Sequence, residues 1–269
     1  MDHAPDPPRD LPPDLIPRMV ACVGGRRQFD YTIHLSPELG FVFFSNPICA
    51  CSTLKATLNL STARALGLPV EPPRAETIHK RAANPLLTPA QIGNPAFRRM
   101  LADPGVLKFG FVRDPLARFV SAHAKKLRRE TPFVAKVRRH LGLPEGTRPA
   151  DFLSLERFAA MVAEDPGLRD LDEHWRLQRS QVFYDLVPGL ELGRVERFAE
   201  DAARFLTRIF GAGGYEIVDA VAIHPANSSR NRAAAPAPDA ALRAAVARAY
   251  AADYDMLAAL DAARGGEGP

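Results

Sequence analysis

The chain has 269 residues, 46% hydrophobic and 25% charged, which is enough apolar material for one sizeable core in an ordinary globular protein. Thirty-five Lys and Arg against 31 Asp and Glu leave a net charge of +4, a mild excess that suits a small anionic ligand. It falls short of the clustered basic face that nucleic acid requires.

Residues 1–18, "MDHAPDPPRDLPPDLIPR", are polar and proline-rich and read as a disordered lead. They hold no apolar run resembling a signal peptide, and no stretch of about eighteen apolar residues occurs anywhere in the chain. Three cysteines, two of them Cys49 and Cys51, form neither a disulfide framework nor a zinc pattern. The expectation is a chain of the reducing cytoplasm, without stable membrane insertion.

Short β-rich runs follow, "MVACV", "DYTIHL" and "GFVFFS", the last ending at Asn46-Pro47. "STLKATLNLSTARAL", residues 52–66, places Leu54, Leu58 and Ala65 at helical spacing, and Gly67 supplies a stop. Residues 68–105 are loop-rich, with one short helix in "NPAFRRMLAD". "VLKFGFV", residues 106–112, is a continuous apolar run that predicts a buried strand. It runs into a helix in which Asp114 caps, Pro115 takes the first helical position, and Lys125–Arg129 suit the negative end of the helix dipole as a solvated terminus.

Further helices are expected at "FVAKVRRHL", at "DFLSLERFAAMVAE" behind Asp151, at "VERFAEDAARFLTRIFG" and at "DAALRAAVARAYAADYDMLAALDAA", with strands at "QVFYDLV" and "LELGRVE". Strands alternating with helices predict an α/β fold with a mostly parallel sheet flanked by helices. We expect a single domain over residues 19–262 and a flexible tail at 263–269.

Two strand-to-helix turns are the candidate anion sites. In "FVFFSNPICACSTLKATLNL" the small residues Cys49, Ala50, Cys51, Ser52 and Thr53 let a phosphate approach the backbone of a helix N-terminus, and Lys55 adds a charge one turn in. The Walker pattern is absent, which argues against an ordinary nucleotide triphosphatase or a kinase using ATP. In "FGFVRDPLARFVSAH" Arg113 ends a strand and Ser121 lies two turns into the next helix, with Arg118 on a neighbouring face. Two phosphate-sized sites on one sheet suggest a nucleotide with phosphates at both ends.

"SNPICACSTLK" followed by "FGFVRDPLARFVSAH" resembles the 5′-phosphosulfate and 3′-phosphate binding motifs of the carbohydrate sulfotransferase family. "DEHWRLQ", "GRVERFAEDAARFL", "HPANSS" and "YAADYDML" fall in that family's order, so the resemblance covers roughly residues 28–260. It implies a P-loop-like sulfotransferase fold that needs no metal, uses 3′-phosphoadenosine-5′-phosphosulfate (PAPS), releases the bisphosphate PAP, and acts on a carbohydrate or glycoside hydroxyl. It also implies that residues 49–53 hold the phosphosulfate, that Arg113 and Ser121 hold the 3′-phosphate, and that "ANSSRN", with Ser228, forms a loop over nucleotide or substrate. The chain departs from the family at Ile48, where a lysine is usual. Lys55 is the nearest replacement in sequence, with Arg113 and Arg118 as others in space; the alternative is a protein that binds the nucleotide without turnover. For the base that takes the acceptor's proton, His174 is the candidate among seven histidines, because Asp172 and Glu173 lie beside it, and Glu173 is the reserve.

Overall fold

A computed structural model describes residues 10–69, 84–219 and 238–265. The α/β class and mostly parallel sheet hold, and two compact units can be distinguished: Met1–Val112 with Val182–Ala235, and Arg113–Gln181 with Pro236–Pro269.

The first unit opens with helices α1 (Leu15–Cys22) and α2 (Arg26–Thr32), followed by strands β1 (Ile33–Ser36) and β2 (Phe41–Phe44). Next come helices α3 (Cys51–Ala65), α4 (Pro89–Ile92) and α5 (Asn94–Ala102), then strands β3 (Leu107–Val112) and β4 (Leu190–Arg194) and a helix Phe198–Phe210. The sheet order is β1-β2-β3-β4, with β1 antiparallel to β2 and the other pairs parallel. A parallel pair needs a long crossover. The chain between β2 and β3 carries α3 to α5, and the chain between β3 and β4 includes the whole run Arg113–Gln181.

Every residue of β2 and β3 is buried, as their continuous apolar runs require when both faces of a sheet are covered. Side chains alternate between the faces. Val42 and Phe44 pack with Leu15, Met19, Phe29, Phe97 and Leu101, whereas Phe41, Phe43, Phe109 and Phe111 pack with Leu54, Leu58, Phe205 and Leu206. Lys108, the charged exception in β3, donates from Nζ to the Asp103 carbonyl at 2.7 Å.

Several expectations are corrected. Leu15–Arg18, placed in the disordered lead, are helical, and "MVACV" is helix and turn: Leu15, Ile16, Met19 and Val23 are buried at helical spacing. A short apolar run has no period long enough to separate helix from strand. "DYTIHL" divides into the end of α2 and all but the last residue of β1. "QVFYDLV" forms no strand; it turns, and Phe183 adopts φ 58° while its ring packs on Phe29 and Phe44. The terminal helix continues through Gly265, into the stretch expected to be a flexible tail.

The second unit is helical. α6 (Pro115–Lys126) begins as expected, with the Asp114 carboxylate accepting from the Ala117 amide at 2.8 Å. "DFLSLERFAAMVAE" breaks into helices Pro149–Phe152 and Leu155–Glu164, and Ser154 rather than Asp151 caps the longer one. The expected long C-terminal helix is likewise two, Ala240–Ala249 and Ala251–Gly265. Trp175 is fully buried among Phe119, Phe158, Val246 and Tyr250.

An irregular segment, residues 171–177, leads into a short helix, Gln178–Gln181, and its peptide groups and those of the helix start take partners from distant parts of the sequence. Arg118 donates to the Glu173 and Arg176 carbonyls at 2.8 and 2.7 Å, and the Tyr250 hydroxyl donates to the Trp175 carbonyl at 2.6 Å. The Asp253 carboxylate accepts from the Gln178 and Arg179 amides, both at 2.9 Å. Burial pushes the Asp253 carboxyl above the usual range, opposed by those two amides. Asp253→Ala leaves two donors without an acceptor and is expected to cost on the order of 2–4 kcal/mol in urea unfolding, with Asp253→Asn costing less because one acceptor oxygen remains.

Candidate active site

The chain between β2 and α3 is built to leave a helix N-terminus open. Ser45 and Asn46 are buried, and the Asn46 side-chain amide donates to the Phe111 carbonyl at 3.0 Å, tying the end of β2 to the end of β3. Two non-glycine residues then turn left-handed, Ile48 at φ 69° and Ala50 at φ 55°. Positive φ costs of the order of 1–3 kcal/mol, and a β-branched residue resists it most. The first bond of α3 runs from the Leu54 amide to the Ala50 carbonyl, so the amides of Ala50, Cys51, Ser52 and Thr53 lie ahead of the helix ladder. Among the described residues no side chain caps them, and no acidic residue occupies the first turn. Such an end carries partial positive charge and suits an anion.

Lys55 strengthens that character. Its side chain is only 1% exposed, and its ammonium sits 4.6 Å from the centroid of the Tyr31 ring. No carboxylate pairs with it among the described residues. A buried cation without a counter-charge is costly, and an aromatic face compensates only part of that cost. No disulfide joins Cys49 and Cys51: Cys49 is buried, and Cys51 shares a 3.1 Å contact with the Ser45 hydroxyl.

In the helical unit, Arg113 and Ser121 are brought together, with Nη1 donating to the Ser121 hydroxyl at 3.1 Å. Gln178 locks the backbone of Arg113: its Oε1 accepts from the Arg113 amide at 2.9 Å and its Nε2 donates to the Arg113 carbonyl at 2.8 Å. Gln178 is fully buried and is in turn held through its own amide by Asp253. The guanidinium is therefore aimed by a chain of hydrogen bonds reaching from α6 to the last helix.

His174 lies on the same irregular segment. Its Nδ1 lies 2.7 Å from Asp172 Oδ1, and Asp172 Oδ2 accepts from Lys136 Nζ at 2.7 Å. Burial alone would raise the Asp172 carboxyl, but the hydrogen bond and charge of His174, with those of Lys136, hold it down to about 2. The Phe133 ring meets the imidazole edge to face at 4.9 Å. Glu173 presents its backbone carbonyl to Arg118.

Of the residues singled out from sequence, Cys49 to Thr53 and Lys55 stand at the start of α3, and Arg113, Ser121, Glu173 and His174 stand in the helical unit. Ser228, with "ANSSRN", lies outside the described residues. Arg118 is corrected as a stand-in for the missing loop lysine, because its guanidinium is committed to two backbone carbonyls. His123 is a packing residue: its Nε2 meets the Leu153 carbonyl at 2.7 Å, and burial lowers its pKa. Sequence reading missed Gln178, Asp253, Tyr31 and Lys136. Gln178 and Asp253 did lie inside the quoted blocks "DEHWRLQ" and "YAADYDML", which was the one signal available for them.

Among the described residues no cluster of three or more His, Cys, Asp or Glu is placed to hold a metal, and no helix is long and apolar enough to cross a membrane. A sequence profile of the Sulfotransferase family matches residues 31–258. Carbohydrate sulfotransferase 11 of Rattus norvegicus is 30% identical over 125 residues, covering 40% of this chain and 34% of that protein. The chain thus spans about a third of the length of this curated relative. No solved structure matches the chain. With most of its length matched by the profile and with an uncapped helix N-terminus and a buried lysine in the motif loop, the chain belongs to the sulfotransferase family.

Proposed function

We propose that this protein transfers a sulfuryl group from PAPS to a hydroxyl of a carbohydrate or glycoside acceptor, acting in the cytoplasm. The observation that carries the reading is the start of α3: four amides ahead of the helix ladder and, among the described residues, no capping side chain and no carboxylate partner for the buried ammonium of Lys55. Those features fit the phosphosulfate end of the donor, and the paired Arg113 and Ser121 fit its 3′-phosphate. The similarity to a protein named a carbohydrate sulfotransferase supports the acceptor class.

The donor supplies an activated sulfuryl group. The protein's share is positioning and cationic stabilisation of the charge that builds on the leaving phosphate. Lys55 is assigned the second role, since Ile48 stands where a lysine is usual. His174 takes the acceptor's proton, with Ser228 assigned to the nucleotide and Glu173 as the reserve base.

Ile48 favours a second reading, in which the nucleotide is bound without turnover. Two substitutions separate the readings. Under the first, Lys55→Met lowers kcat by about 10²-fold and Ile48→Lys changes it by less than about threefold. A rise of about tenfold or more in Ile48→Lys indicates an impaired site instead. The measurement is transfer of isotope-labelled sulfate to a panel of saccharides, and no transfer to any acceptor counts against the first reading.

Donor binding is checked by calorimetry with PAP: Arg113→Ala is expected to weaken it about 10- to 100-fold, since a hydrogen bond to a charged group is worth about 1.5–3 kcal/mol. Asp172 predicts an acid limit to stability. Its carboxyl is held at about 2, below its ordinary 3.8, so its contribution is present above that ordinary value and is lost as pH falls through about 2. Chemical unfolding of the wild-type chain should lose roughly 2 kcal/mol more over that window than Asp172→Asn does.

A further inference from the structure

Two His–Asp pairs in the helical unit are equally short and differently built. His140 presents Nε2 to Asp165 at 2.7 Å, but Asp165 also caps helix Pro166–Asp170 by accepting from the Leu168 amide, and its side chain is 44% exposed. That pair ties down a helix start. His174 presents Nδ1 to Asp172, whose side chain is 6% exposed and whose two oxygens are both used. Oδ1 accepts the His174 ring and the His174 backbone amide at 2.7 and 3.2 Å, and Oδ2 accepts Lys136. Nε2 of His174 makes no hydrogen bond with any described residue.

We propose that Asp172, braced by Lys136, is the positioning residue that keeps the His174 proton on Nδ1 and so makes Nε2 the nitrogen that receives the acceptor hydroxyl's proton. This rests on the reading of His174 as the base. A charged carboxylate only accepts hydrogen bonds, so the ring nitrogen facing it must carry hydrogen, and the lone pair of the neutral ring falls on Nε2. The carboxylate stays charged because the His174 ring and Lys136 hold its two oxygens against the cost of burial.

The ring is steered from its other sides as well. Phe133 and Lys136 lie one turn apart on the helix Pro132–His140, so one helix supplies both the aromatic wall and the brace. The Lys126 ammonium lies 4.6 Å from the Phe133 ring centroid. Arg118 fixes the carbonyls of Glu173 and Arg176 on either side of His174 and Trp175. In the transfer step, the acceptor oxygen bonds to sulfur as the bond from sulfur to the leaving phosphate oxygen breaks. The hydroxyl proton passes to Nε2, and Asp172 stabilises the imidazolium until that proton is lost to solvent.

The test uses the full chain with ¹⁵N-labelled histidine, the His174 signals being assigned by their loss in His174→Gln. In the wild-type chain at a pH where the ring is neutral, Nδ1 is expected to show as protonated and Nε2 as bare. In Asp172→Asn, whose side-chain amide can donate to Nδ1, the tautomer is expected to change, with kcat falling by about 10²-fold or more and KM for PAPS within about threefold. Lys136→Met keeps the His–Asp contact and should keep the tautomer while lowering kcat about tenfold. An unchanged tautomer in Asp172→Asn overturns the assignment, and kcat within twofold of wild type in Lys136→Met removes the brace from it. Absence of sulfuryl transfer by the wild-type chain sinks the transferase reading instead, while the ¹⁵N signals still decide where the ring proton sits.

Discussion

The peptide groups of residues 173–177 run through a helical core, and irregular backbone survives there only if each polar group is given a partner. Helices satisfy their own backbone; a turn cannot. Arg118 and Tyr250 meet that demand, and Asp253 accepts the two amides that open the short helix Gln178–Gln181, from positions up to 75 residues away. Satisfying the turn also aims the chemistry, because Arg113 is gripped by Gln178, and His174 sits between the two carbonyls held by Arg118. Buried polar networks of this kind specify one arrangement, since a partly satisfied network costs more than an apolar core.

The sheet unit solves the opposite problem. There the polar groups at the start of α3 have no capping side chain among the described residues, and two left-handed non-glycine residues and a buried lysine accompany them. None of these is favourable in isolation. Together they make sense as a site prepared for an anion, with the cost carried by the tightly packed phenylalanines of β2 and β3 behind the loop. Ile48 takes part in that loop through its backbone conformation, whatever its side chain no longer supplies.

Much of the fold was legible where one signal dominated. Continuous burial marked β2 and β3, and the Asp-Pro start of α6 was readable because capping and a fixed proline φ act within four residues. Reading failed where periods were short or competed. "MVACV" held too few residues to separate helix from strand, "QVFYDLV" had β-forming composition but was diverted into turns, and the long C-terminal segment broke at Tyr250, whose hydroxyl was needed at Trp175. The small-residue turn before α3 and the meeting of Arg113 with Ser121 were legible because each is local to a strand-to-helix turn.

The sequence by itself determined the α/β class, the two strand-to-helix turns and the types of residue they carry, since propensity, capping and alternation operate over a few neighbouring residues. Only the tertiary structure decided that Arg118 serves the backbone rather than a ligand, that Lys55 lacks a carboxylate among the described residues and rests on Tyr31, and that Asp172 is shared between His174 and Lys136. Those outcomes depend on which side chains meet across tens of residues, and partner choice over such separations is set by packing and the need to satisfy buried polar groups, neither of which leaves a local pattern to read.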